Sequence, residues 1–278
     1  MENIKKKNAL LTGGSRGLGP YIARALAREG VNVALVARSE DALESNAEGL
    51  SRFNIRALAY PGDITHHDFR IKLVQDVKND FGSIDLLINN AGIELVYSYT
   101  SLTPDYIEKI VQTNLIAPLL LTRLVLPDML ERGSGHIVTM SSLGGKKGSP
   151  YSATYAATKA GLIQFTAGIR EEMRGSGVSA SAICPGFVSE AGMFAAYHKS
   201  APKIVGETTP AKVAQAVMRA IREDLGEIIV NPGPIRPMMV LDAIDPGIGS
   251  WLLRTFGVYE FYRKQAIENE RERGGSYG

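Results

Sequence analysis

The chain has 278 residues, with 31 Lys and Arg against 29 Asp and Glu, a formal net charge of +2, and 45% hydrophobic residues. That balance suits a soluble globular chain with a sizeable core, and it supplies no basic field that would imply nucleic acid or acidic lipid as a partner. The single cysteine, Cys184, excludes an intrachain disulfide framework and fits a reducing cytoplasm.

The opening MENIKKKNALLTGG places only Ala9, Leu10 and Leu11 between its lysines and a Thr-Gly-Gly turn, too short a run for a signal peptide. No membrane span is expected either, because the most apolar window, 115–130, is broken by Pro118, Arg123 and Pro127. Strand-like apolar runs fall at 9–11, 31–37, 55–60, 84–90, 136–141, 178–184 and 227–230. Helical patterns lie at 20–29, 40–52, 66–81, 104–132, 152–174 and 210–224. Thr103 and Thr209 each precede a proline suited to a first helical turn, and Thr65 with Asp68 resembles a capping box. Pro118 has no amide to offer the carbonyl of Asn114, so a kink is expected there. Strict alternation of strand and helix, with nearly unbroken apolar strands, indicates an α/β chain: one doubly wound domain with a parallel central sheet. Residues 8–230 form its core and 231–278 a C-terminal extension.

The glycine-rich TGGSRGLGP (12–20) joins the first strand to the first helix, where a doubly wound sheet binds dinucleotides. Gly13, Gly17 and Gly19 let backbone approach a pyrophosphate at the helix N-terminus. The loop lacks the GK[ST] ending of a triphosphate site. After the second strand, where an acid would select NAD, stands Arg38, and Arg16 lies in the loop itself. Two guanidiniums suit the 2′-phosphate of NADP.

Further motifs arrive in order: Asp63 after the third strand, NNAG at 89–92, Asn114, Ser142, Tyr155 with Lys159 four residues on, and Pro185-Gly186. The ordered set resembles the short-chain dehydrogenase/reductase family over roughly 8–230. The resemblance implies catalytic roles for Asn114, Ser142, Tyr155 and Lys159, with Tyr155 the general acid/base. It implies NADP(H) contacts from Gly13, Ser15, Arg16, Gly17, Leu18, Gly19, Arg38, Asp63, Ile64, Asn90, Ala91, Gly92, Tyr155, Lys159, Pro185, Gly186 and Val188. It also implies a homodimer or homotetramer. Tyr151, Tyr155 and Lys159 share a helix face, and the lysine is expected to lower the Tyr155 pKa from roughly 10.

The expected activity is hydride transfer between NADP(H) and a secondary alcohol, ketone or aldehyde, probed against a rival of another class, a non-enzymatic NADP(H)-binding regulator on the same scaffold. Glu190 stands where the family often has a threonine, so that contact is not carried over. Leu143, Tyr151, Met193, Phe194 and Tyr197 are the candidate substrate-pocket residues, and a hydrophobic substrate would suit them. The four histidines and one cysteine show no metal-ligand spacing. The extension, with the only tryptophan, Trp251, reads as a lid, an oligomer contact, a patch docking on membrane lipid, or simply an extra helix packed on the domain.

Overall fold

The computed structural model describes residues 4–203, 205–233 and 235–275. Seven parallel strands form one sheet in the order β3-β2-β1-β4-β5-β6-β9. They are β1 (Asn8–Thr12), β2 (Asn32–Ala37), β3 (Ala57–Pro61), β4 (Leu86–Asn89), β5 (Gly135–Met140), β6 (Val178–Pro185) and β9 (Glu227–Val230). A separate two-stranded ribbon, β7 (Phe187–Val188) with β8 (Glu207–Thr208), follows β6. Every residue of β1, β4 and β5 is buried, which is why these strands read as continuous apolar runs and not as alternating ones.

Helices cover both faces. On one side α1 (Gly19–Arg28) and α7 (Pro210–Glu223) bury Ile22, Leu26, Val213, Val217 and Ile221 against Leu11, Leu35 and Ile88. On the other, α3 (His67–Phe81) and α5 (Ala117–Glu131) bury Leu73, Val77, Leu121, Val125 and Met129 against Leu10, Val36 and Leu87. The remaining core helices are α2 (Glu40–Gly49), α4 (Pro104–Val111) and α6 (Ala153–Glu172). Thr103 and Thr209 cap α4 and α7 by accepting from the Tyr106 and Lys212 amides.

Two local expectations need correction. The capping box at Thr65 does not form: Thr65 donates its hydroxyl and amide to Asp63, and His66 occupies the cap of α3 without a side-chain bond. The irregularity expected at Pro118 is a π-turn, Gln112–Ile116, between α4 and α5. There the Ala117 amide reaches back five residues to the Gln112 carbonyl, and Pro118 then enters α5 in its first turn, where it needs no partner. The combined helical run Pro104–Glu131 is long and apolar enough to cross a membrane by length and composition alone. It packs on the sheet through Leu121, Val125 and Met129 and buries Ile110 as well, as a core helix does.

The extension folds into α8 (Ile235–Ile244), α9 (Pro246–Thr255) and α10 (Val258–Gly275). Lys147 pins the first two by donating to Asp242 at 2.6 Å and to the Pro246 carbonyl at 3.2 Å. From α10, Asn269 donates to the Val96 carbonyl at 2.8 Å and Glu270 accepts from the Ser98 amide at 3.0 Å. The extension thereby docks on the loop that leaves β4. Its outer face keeps Val240, Ile244 and Trp251 exposed, at 60%, 75% and 59%.

Candidate active site

A cavity of about 1140 Å³ crosses the C-terminal ends of the strands, where an open parallel sheet places its ligands. One end is built from the glycine loop. Gly13 adopts φ +70°, and a Cβ on it would lie 2.9 Å from the Ala91 Cα. A Cβ on Gly19 would fall on the Gly13 carbonyl, so the start of α1 sits directly against the end of β1. Asn46 engages the Gly14 and Ser15 carbonyls at 3.0 and 2.9 Å, and no side chain caps α1, leaving its first amides for an anion. Thr12 accepts from the Asn90 and Ala91 amides at 3.0 and 3.1 Å, tying the loop to the turn after β4. This cradle fits a dinucleotide pyrophosphate.

Gly13, Ser15, Arg16, Gly17, Leu18, Arg38, Asp63, Ile64, Asn90, Ala91, Gly92, Pro185, Gly186 and Val188 all line the cavity; of the expected cofactor set only Gly19 stays behind the loop. Arg38 is 57% exposed and 3.9 Å from Asp63. Burial opposes the charge on Asp63, but the two Thr65 bonds and Arg38 outweigh it and hold the carboxyl below its ordinary value. Arg38 is therefore only lightly engaged at the cavity's rim, which exposed Arg16 also lines.

At the other end, α6 sets Tyr155 and Lys159 one turn apart, and the turn after β5 supplies Ser142. Ser142 adjoins Tyr155, donates to the Pro185 carbonyl at 3.5 Å and accepts from the Gly144 amide at 3.1 Å. Lys159 is 3% exposed, donates to the Met140 carbonyl at 2.7 Å, and lies 5.6 Å from the Tyr155 ring centre. Asn114, fully buried in the π-turn, exchanges two bonds of 2.8 Å with the Ile93 main chain and donates to Thr158 at 3.3 Å. Its side chain holds the loop after Gly92 and does not reach the phenol.

The electrostatics differ from the sequence expectation. Burial, then the charge of Glu94, push the Tyr155 phenol above its ordinary value; the neighbouring Ser142 hydroxyl opposes them. Burial pulls Lys159 down to about 8, against the attraction of Glu94. The surrounding residues thus hold the proton on Tyr155 instead of loosening it. Burial likewise pushes the Cys184 thiol up to about 12, as befits an inert core cysteine.

Glu94 escaped sequence reading. A lone acid after NNAG resembles any solvated loop residue, and its one signal was a position just beyond the C-terminal end of β4. It accepts from Ser152 at 2.7 Å and from Tyr197 at 3.3 Å, and burial raises its carboxyl above the ordinary range. Leu143, Met193, Phe194 and Tyr197 line the same cavity. Tyr151 does not. It takes a left-handed φ of +65° ahead of α6, its carbonyl accepting from the Tyr97 amide, and stands outside the cavity. The missing lining comes from the extension, through Met238, Met239, Leu253 and Tyr262. Phe187, Phe194, Tyr197, Phe261 and Tyr262 form one aromatic cluster, with ring centres 4.8–6.5 Å apart. At the family threonine's neighbour, Ser189 spends its hydroxyl on the Thr208 carbonyl across the β7–β8 ribbon. Among the described residues no group of His, Cys, Asp and Glu is placed to hold a metal.

A dinucleotide cradle leading to a Ser–Tyr–Lys group, its lysine buried and its serine and tyrosine half-buried, defines an oxidoreductase of the doubly wound class. The family profile described as short chain dehydrogenase matches residues 7–202, and the chain belongs to that family. It is 44% identical to ketoacyl reductase HetN of Nostoc sp. (strain PCC 7120 / SAG 25.82 / UTEX 2576), over 96% of this chain and 94% of that protein. An uncharacterised oxidoreductase of Staphylococcus aureus (strain MW2) is 32% identical, over 86% of this chain and all of its own. Among solved structures, a variant of actinorhodin polyketide ketoreductase with NADPH superposes with a TM-score of 0.74 at 31% identity, covering 82% of this chain and 95% of that one. A metagenomic short-chain oxidoreductase in complex with NADP gives 0.71 at 28% identity, covering 82% and 98%.

Proposed function

We propose that the chain is an NADP(H)-dependent ketone or aldehyde reductase in which Tyr155 delivers the proton. The observation that carries this reading is a phenol beside Ser142 and Lys159, inside the same cavity as the glycine-loop cradle, whose surroundings raise its pKa and so favour its protonated form. When bound, the nicotinamide supplies the hydride. Ser142 and Tyr155 hold the substrate oxygen between two donors, and Tyr155 gives its proton to the oxygen as negative charge develops there. Lys159, held by its bond to the Met140 carbonyl and 5.6 Å from the Tyr155 ring centre, would hold the nicotinamide ribose and would restrain the charge left on the phenol. Asn114 acts through the Ile93 main chain, keeping the wall of the cavity in register.

The resemblance to the NADP- and NADPH-bound structures and the pair Arg16 and Arg38 support NADP(H) over NAD(H). The aromatic cluster and the methionines of α8 support a largely apolar substrate, and the extension, through Met238, Met239, Leu253 and Tyr262, supplies a wall of its pocket. Apolar groups left exposed on α5, Leu120 and Leu130, suit helix-to-helix pairing into a homodimer or homotetramer. The single buried cysteine suits a cytoplasmic protein. A spectrophotometric screen of ketones and aldehydes with NADPH and with NADH tests the reading. Oxidation of NADPH in preference to NADH is expected, and tight NADPH binding without turnover of any carbonyl would overturn it.

A further inference from the structure

Glu94 is chemically out of place in the wall it occupies. Its neighbours at the substrate end are Met193, Phe194, Tyr197 and Tyr262, an aromatic and apolar set in which a carboxylate is costly unless it is fully bonded. A carboxylate can accept about four hydrogen bonds, and Ser152 and Tyr197 provide one to each oxygen. The one buried cation nearby, Lys159, already donates to Met140. Glu94 is also held at some expense. Ser152, its shorter partner, follows Tyr151, a bulky residue kept at a positive φ that such residues avoid, and strain of that kind concentrates at functional sites. The second partner, Tyr197, is packed edge-on against Phe194 and lies tilted by 55° against Phe261 of α10, ring centres 6.5 Å apart. Three separate parts of the chain thus fix one carboxylate at the substrate end, and Ser152 lies only three residues before Tyr155.

We propose that Glu94 determines substrate specificity: its free lone pairs accept a hydrogen bond from an ammonium or hydroxyl group of the substrate, a few bonds from the carbonyl that Ser142 and Tyr155 hold. Ketones carrying such a donor are the preferred class, and ketones carrying a carboxylate at that place are rejected, because two like charges would meet in a water-poor pocket. This proposal rests on the ketone-reductase reading above.

The test uses the full chain with NADPH and three ketones of matched shape: 4-aminocyclohexanone, 4-methylcyclohexanone and 4-oxocyclohexanecarboxylate. In the wild-type enzyme kcat/KM for the amine is expected to exceed that for the carboxylate by at least ~10²-fold, the combined effect of one charge-assisted bond and one repulsion. Glu94→Gln keeps an acceptor for Ser152 but removes the charge. The amine, referred to 4-methylcyclohexanone in the same variant, should lose ten- to a hundredfold, and the carboxylate should gain. A wild-type enzyme that favours the carboxylate overturns the proposal with no variant needed. So do Glu94→Gln ratios equal to those of wild type, whatever the change in absolute rate. Turnover of none of the three by wild type, with NADPH bound, overturns the ketone reading together with the proposal, an outcome distinct from turnover without discrimination.

Discussion

In an Arg38→Ala protein the guanidinium at the cavity rim is gone while the fold keeps nearly everything that holds it. Arg38 is 57% exposed and its one ion pair, with Asp63, spans 3.9 Å. A solvent-screened pair of this kind contributes about 0–1 kcal/mol, so Tm should fall by no more than about 2–4 °C. Recognition of the 2′-phosphate is a different matter, because a charge-assisted hydrogen bond to phosphate contributes roughly 1.5–3 kcal/mol. Its loss should weaken NADPH by about ten- to a hundredfold, with Arg16 retaining part of the discrimination. NADH has no phosphate at that place, and its affinity should hardly change. Fluorescence titration of both nucleotides at fixed ionic strength measures the two constants side by side, and added salt should erode the NADPH advantage of wild type more than that of the variant. Equal losses for NADPH and NADH, or a drop in Tm well beyond the stated range, would refute the reasoning by showing that Arg38 shapes the cleft.

Tyr155→Phe should retain NADPH binding and lose at least ~10²-fold in turnover, whereas Tyr151→Phe should cost far less; stopped-flow rates that fall equally in both would reverse the assignment. Phe261→Ala removes the ring that joins α10 to Phe187, Phe194 and Tyr197, and for a half-buried aromatic the cost is about 2 kcal/mol. Its KM for a ketone should rise while its Kd for NADPH stays; a change in Kd alone would contradict the extension's place on the substrate side. His136, buried in β5 and bonded to Ser181 at 2.8 Å, has its pKa pulled down to about 4 by burial. Below pH 6.5 the unfolded chain takes up a proton that the folded chain refuses until about pH 4, so stability falls as pH drops through that window. Urea unfolding at pH 5 should show a loss of about 2 kcal/mol relative to pH 7 from this residue, and His136→Gln should lack that share.

Much of this molecule is legible from its residues because the signals are local. The stretch 84–90 carries the unbroken apolar run Leu86–Ile88, as burial on both faces demands, and the spacing of Tyr155 and Lys159 places them on one helical face whatever the tertiary setting. Features that depend on distant partners are not. Thr65 had a choice of partners, and Asp63 beside it in the same turn prevailed over the start of α3. Tyr151 shares the helical spacing of Tyr155, yet a backbone turn with positive φ takes it off that face. The extension is apolar on more than one side, so periodicity could not separate Met238 and Met239, which face the cavity, from Val240 and Ile244, which face outward. Glu94 acquires its meaning only when Ser152, 58 positions away, and Tyr197, 103 positions away, come to it.

The order in which the chain is made gives the extension a temporal meaning. The groups that cradle the dinucleotide, from Gly13 to Val188, have all been synthesised before α8 begins at Ile235. A nascent chain on the ribosome therefore acquires its nucleotide-binding elements while Phe187 and Phe194 still lack Phe261 and Tyr262 as cover. During that interval the unfinished pocket leaves apolar surface uncovered, the kind of surface through which incomplete chains associate. Substrate competence arrives last, when α10 closes over the loop after β4 through Asn269 and Glu270.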